Sequence, residues 1–144
     1  MRIEFTQIYS EPGVSFNLPG PLLGAISDNL DGLEKNIEDL AAKFEGEDFE
    51  LVFIISASRK LKALEIKGPN IRRKAHEVEF SLFIPWRAMA NFAEKVEYIL
   101  PKIAEGVCEV FGRYGVGTSG VHAAIQKVLQ RAKQSPDQFQ YNRG

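Results

Sequence analysis

The hydrophobic pattern of this 144-residue chain predicts an α+β fold: a four-stranded, mostly antiparallel sheet in the order β-α-β-β-β-α-α, with the helices packed on one face. Three observations carry it. A period-two segment opens the chain, three strand-like runs follow one another between residues 49 and 84, and stripes with three- and four-residue steps flank that block. Short polar connections favour antiparallel neighbours, so residues 48–84 read as a meander, and the first strand joins it across a long helix.

Residues 2–9 alternate, with Ile3, Phe5 and Tyr9 on one face and Glu4, Thr6 and Ile8 on the other. Residues 11–21 are rich in glycine and proline and form a loop. Leu22, Ile26, Leu30, Leu33, Ile37, Leu40 and Phe44 then recur on one helical stripe, predicting a single helix of ~23 residues, about 35 Å long, with Gly46 as its stop. Residues 49–58 are apolar on both faces, as a central strand is. A shorter strand over 61–67 points Leu64 and Ile66 inward, and Gly68-Pro69-Asn70 turns the chain. A third strand over 73–84 places Val78, Phe80, Leu82 and Ile84 on one face, and Pro85 ends it because it cannot donate to a ladder.

A helical period returns over residues 86–114 through Met89, Phe92, Val96, Ile99, Ile103, Val107, Val110 and Tyr114. Pro101 inside it predicts a kink or break. Gly115-Val116-Gly117 ends this helix. Thr118 or Ser119 is expected to cap a last helix whose apolar face is Val121, Ala124, Ile125, Val128 and Leu129. From Gln134 onward the chain is polar and is read as a loose tail.

At 44% hydrophobic, the chain reads as one domain over residues 1–144, large enough to bury roughly 70% of the surface its unfolded form exposes. The longest strongly apolar run, residues 51–55, is far below the ~20 residues that span a bilayer. The N-terminus alternates like a strand and has no signal-peptide core. Cys108 is the only cysteine, so no internal disulfide forms. These features make the cytoplasm the expected compartment.

The candidates for chemistry each have a plainer explanation. Gly115-Val116-Gly117-Thr118-Ser119-Gly120 spells G-x-G-x-x-G, but a nucleotide fingerprint needs a strand before the glycines, and here an amphipathic helix precedes them. A helix–helix turn with a C-terminal glycine accounts for it. The two histidines, His76 and His122, have no cluster of further ligands. His76 falls on the face of Val78 and Phe80, as a core-edge residue, and His122 in the first turn of the last helix. Cys108 reads as a small core hydrophobe. No catalytic, cofactor or metal residue is predicted, and neither is an enzymatic activity.

Charge is the distinctive feature. Between residues 28 and 50 stand nine carboxylates against two lysines, and between 59 and 74 seven cations against Glu65 alone. The net charge of −1 therefore conceals two opposed local fields, an arrangement suited to oriented docking. Asp28, Asp31, Glu34, Glu38 and Asp39 on the acidic helix, with Trp86 as an anchor, are the candidate partner-binding residues. The basic segment 59–74 is the rival face, for a small ligand or nucleic acid. It contains no aromatic residue on which bases could stack, which argues against nucleic acid.

The strand ending Phe53-Ile54-Ile55-Ser56-Ala57-Ser58, the Lys67-Gly68-Pro69 step, and Glu79-Phe80-Ser81-Leu82-Phe83-Ile84-Pro85-Trp86 opening two helices resemble the small immunity proteins of bacterial polymorphic-toxin and contact-dependent growth inhibition systems. The resemblance covers residues 49–114 and rests on structural motifs. It implies a non-catalytic cytoplasmic antidote that binds one cognate toxin domain and occludes its active site. No binding-residue pattern carries over position by position, and the toxin's activity and the oligomeric state stay open.

Overall fold

The segment that is apolar on both faces becomes β2 (Glu50–Ser58), and the segment with the cleanest alternation becomes β4 (Glu77–Pro85). In the computed structural model, which describes residues 2–8, 11–44 and 49–140, these two strands form the centre of a four-stranded sheet. β1 (Arg2–Gln7) flanks β2, and β3 (Glu65–Arg72) flanks β4, giving the order β1-β2-β4-β3. The α+β class and the four strands are as expected; the meander is not. β1, β2 and β4 are mutually parallel, and only β3 runs antiparallel, to β4.

The reason lies in β3. It carries Pro69, which has no amide to donate, and its register shifts between Lys67 and Asn70. A strand so built belongs at an edge. Residues 59–64 carry the chain past the place next to β2, and β4 returns into it. Gly68-Pro69-Asn70 accordingly lies within β3 as a bulge. Gly68 has φ 125°, and a Cβ there would fall 2.7 Å from the Glu79 carbonyl oxygen. The chain reverses later, through a 3₁₀ turn (Arg73–Ala75) and the left-handed His76. His76 is thus exposed ahead of β4, beyond the reach of its alternation, with its ring edge-on to Phe49.

The predicted long helix is two helices, α1 (Gly20–Asp31) and α2 (Glu34–Ala41). Leu33, at φ −90° and ψ 58°, breaks the run: its amide closes back on the Leu30 carbonyl, and the Ile37 amide restarts the ladder on Leu33. The stripe survives the break, with Leu22, Ile26, Leu30, Ile37, Leu40 and Phe44 buried and Leu33 half-buried. Leu33 instead packs on Gly120, whose added Cβ would lie 3.0 Å from Leu33 Cδ2. Tyr9, Glu45, Gly46, Glu47, Asp48 and the last four residues lie outside the described residues.

α3 (Phe92–Arg113) begins later than its periodicity predicts. Asn91 accepts the Glu94 amide at 2.9 Å, while the Glu94 carboxylate accepts the Ala90 amide at 2.7 Å. This reciprocal cap fixes the start, so Trp86 and Met89 precede the helix. α3 continues through Pro101, held by a buried line that includes Val96, Ile99, Leu100, Ile103 and Val107. Gly106 lets it lie close against β4, since a Cβ there would fall 2.9 Å from Leu82.

α3 ends in a Schellman turn: the Val116 amide bonds the Phe111 carbonyl and the Gly115 amide the Gly112 carbonyl, with Gly115 at φ 68°. The glycine-rich run is thus a helix–helix turn, as its context predicts. α4 (Val121–Gln134) buries the expected face, but its N-cap is Gly120 at φ 86°, without help from the Thr118 or Ser119 side chains. In place of a loose tail, α5 (Asp137–Gln140) follows and buries Phe139, over which the Arg131 guanidinium lies at 5.4 Å.

Leu30 is fully buried, so Leu30→Ala is expected to lower stability by about 2–5 kcal/mol in urea unfolding. Leu33→Ala should cost clearly less. Equal losses would mean that the stripe is one continuous core helix.

Candidate functional site

The helices share the sheet face that carries Ile3, Phe5, Leu51, Phe53, Ile55, Val78, Phe80, Leu82 and Ile84, all buried. The opposite face is open. Its residues follow from the register in rows across the sheet: Arg2–Glu50–Glu77–Arg72, Glu4–Val52–Glu79–Asn70, and Thr6–Ile54–Ser81–Lys67. The next row brings Phe83 beside Glu65 and Ser56. Ile8, hydrogen-bonded to β2 just beyond β1, is 48% exposed.

This face is polarised along the strands. Toward the N-terminal ends of the parallel strands stand Glu4, Glu50, Glu77 and Glu79. Arg72 reaches Glu79 at 3.2 Å and Glu77 at 3.8 Å, and Asn70 donates to Glu79 at 3.1 Å. The Glu50 carboxyl is pushed up from its ordinary value, first by its hydrogen bond with Glu4, then by burial and by repulsion from Glu4 and Glu77.

The other end is cationic and aromatic. On this face Lys67 lies over Phe83 at 5.2 Å. Just past the strand ends Arg59 stacks over Trp86, which packs against the core, at 4.9 Å, and on the helix side Arg87 lies over Tyr98 of α3 at 4.2 Å. Glu11 from the loop after β1 sets the geometry. It accepts the Ser58 hydroxyl at 2.8 Å and the Arg59 amide at 3.1 Å, and Ser58 in turn accepts the Lys60 amide at 3.2 Å. The Arg59 amide, then the Ser58 hydroxyl, hold the Glu11 carboxyl below its ordinary value. The Trp86 amide extends the ladder by bonding the Ser58 carbonyl at 2.9 Å.

The sequence-predicted site residues do not form one surface. Asp28, Glu34, Glu38 and Asp39 are exposed on α1 and α2, and Asp31 is partly spent on the Ile3 amide, bonded at 3.0 Å. That contact lies at the start of β1, whereas Trp86 follows the end of β4, about 25 Å away along the parallel strands. What the sequence hides is the company of the basic segment. Its own residues include no aromatic, but β4 and the following loop supply Phe83 and Trp86 from elsewhere in the chain.

Among the described residues, no group of three or more histidine, cysteine or acidic side chains could hold a metal ion. Nor, among the described residues, does a hydrogen bond or ion pair join His76 to a carboxylate. A groove of about 310 Å³ between α3 and α4 has His122 on its rim and is otherwise lined by uncharged residues, including Pro101, Ile125 and Leu129. Cys108 is half-buried, and burial pushes its thiol up, away from the reactive thiolate. No helix among the described residues is long and apolar enough to cross a membrane. Comparison with protein-family models, with curated proteins and with solved structures finds no match.

Trp86, the single tryptophan, reports on the Glu11 clamp. A carboxyl whose folded pKa is depressed contributes stability above its unfolded value, lost as pH falls through the folded one. Trp86 fluorescence should therefore stay constant from neutral pH down to the ordinary value of 4.5 and change below it. Glu11→Gln should start from an altered spectrum and lack that acid transition. An identical acid transition in the variant would detach the clamp from Trp86.

Proposed function

We propose that this protein is a non-catalytic binding module of the immunity type, which neutralises a cognate toxin domain by docking onto it through the cationic, aromatic end of the sheet, where the open face meets the segments that follow β2 and β4. The observation that carries this reading is the convergence of Arg59, Lys67, Phe83 and Trp86 at that end. Interface cores are enriched in aromatic residues and arginine, with tryptophan and arginine prominent among hot spots. Here such residues stand ready-ordered, two of the cations already oriented over aromatic rings. The acidic helices, proposed from the sequence as the docking face, lack an exposed aromatic or aliphatic anchor. Their role in this reading is a solvated outer surface.

The partner that fits is a protein with an acidic surface around a recess able to take the Trp86 indole. Attraction to Arg59, Lys60, Lys62 and Lys67 would steer it, and Trp86, Phe83 and Ile54 would hold it. With the toxin domain encoded beside this chain, Trp86→Ala should weaken binding by about 2 kcal/mol or more. Reversing Arg59, Lys62 and Lys67 to glutamate should slow association about tenfold or more at low salt. If reversal of Glu34, Glu38 and Asp39 slows association instead, the docking face is the acidic one. If no protein from the same locus binds, the immunity reading falls.

A second reading is favoured by the same aromatic–cation pairs: a single-stranded nucleic acid stacking on Phe83 and Trp86. Glu65, Glu77 and Glu79 on the same face oppose a polyanion. Binding of a labelled oligonucleotide whose affinity falls steeply with salt would favour this alternative.

A further inference from the structure

The two edges of the sheet are finished differently. β3 is blunted by Pro69, by the shift between Lys67 and Asn70, and by its charged side chains, the devices that keep an edge from pairing. β1 is the other edge, and it carries neither proline, lysine nor bulge. The Ile8 amide bonds inward, to the Ile55 carbonyl at 3.0 Å. The alternate residues Ile3, Phe5 and Gln7 therefore turn their main-chain groups outward, and the Ile3 amide bonds Asp31 Oδ1 in that direction. Among the described residues, nothing bonds the main-chain groups of Phe5, the Ile3 carbonyl or the Gln7 amide.

Beside this edge lies a groove of about 290 Å³, walled by α1 and lined by Arg2, Phe5, Leu23, Gly24, Ser27 and Asp28 among others. A Cβ on Gly24 would meet nothing within 4 Å, so the wall is set back from the strand. Asp31 closes one end. At the other, the Gln7 side chain exchanges two hydrogen bonds with the Leu18 main chain, at 2.6 and 2.8 Å. The slot between them, from Ile3 to Gln7, accepts about 13 Å of extended chain.

We propose that this slot takes up an extended, basic segment of a partner protein as an added strand. The Ile3 carbonyl, both main-chain groups of Phe5 and the Gln7 amide supply the ladder, as in other strand-addition sites. The side chains supply the selection. Glu4 on the open face, Asp28 on the α1 wall and Asp31 at the end outweigh Arg2, so lysine or arginine at alternate positions of the guest is favoured. A second copy of this chain is disfavoured by the same charges, because each copy would bring its own Asp28 and Asp31 to the seam. This inference uses the edge opposite the basic segment and stands independently of the toxin reading.

The test uses a short capped peptide alternating lysine and valine, with a glutamate–valine peptide as control. Amide hydrogen exchange of the whole protein is followed by NMR. The lysine peptide should slow exchange at Phe5 and Gln7 about tenfold or more, and the control should not. Gly24→Leu, which fills the slot, should abolish this while keeping the melting temperature. Glu4→Lys should weaken binding about tenfold without touching the α1 wall. Unchanged exchange at millimolar lysine peptide would overturn the proposal, as would undiminished binding to the Gly24→Leu variant. A peptide-free dimer with Phe5 and Gln7 already protected would make the second copy the occupant and overturn it too.

Discussion

Phe5, Phe53 and Phe80 occupy one row across the three parallel strands, with ring centroids 5.2 and 6.1 Å apart, and the remaining architecture depends on that row. Side chains alternate along a strand, so a slip of one residue would carry the whole buried set to solvent. Tyr114 at the end of α3 meets Phe80 edge-on at 6.1 Å and Phe44, beyond α2, at 4.9 Å. The same row thus fixes the strand register and seats the helices. The four phenylalanine rings are nearly or wholly buried and Tyr114 is half-buried, and aromatic pairs of this kind contribute about 0.5–1.5 kcal/mol beyond the area they bury.

The lock has a consequence on the far side of the sheet. Once Phe5, Phe53 and Phe80 face the helices, Glu4, Ile54, Ser81 and their row partners must face outward. The open face is the obligatory complement of the core. Parallel strands add polarity to it, because β2 and β4 end together and bring their following segments to one place. There Ser58 meets Glu11, Arg59 meets Trp86, and Lys67 of the antiparallel strand reaches Phe83. The cations that the sequence clusters gain anchors that only the topology can supply. The carboxylates of β1, β2 and β4 gather at the other end, held apart from them along the strands.

Much of the fold was legible because its signals are local. Two-faced apolarity marked β2 as central, and the Val78, Phe80, Leu82, Ile84 alternation marked β4. The stripe of α4 and the glycine turn before it were equally plain. Strand direction was not legible, since it depends on the path of residues 59–64, whose mixed lysines and leucines read as the start of a strand. The break at Leu33 was invisible because the three- and four-residue spacing continues across it. Asn91 with Glu94 was a readable helix start, overridden by the apolar residues that precede it. The candidate site stayed hidden for a different reason: Arg59 and Trp86, and Lys67 and Phe83, are far apart in sequence and adjacent only after folding.

The location of the docking face decides whether this architecture serves binding as proposed. Backbone chemical-shift mapping of the isotope-labelled protein, titrated with the proposed partner, a toxin domain encoded at the same locus, addresses it residue by residue. Perturbations centred on Arg59, Lys67, Phe83 and Trp86, spreading to Ile54 and Glu11, are expected. Perturbations confined to Glu34, Glu38 and Asp39, with the sheet face silent, would contradict it.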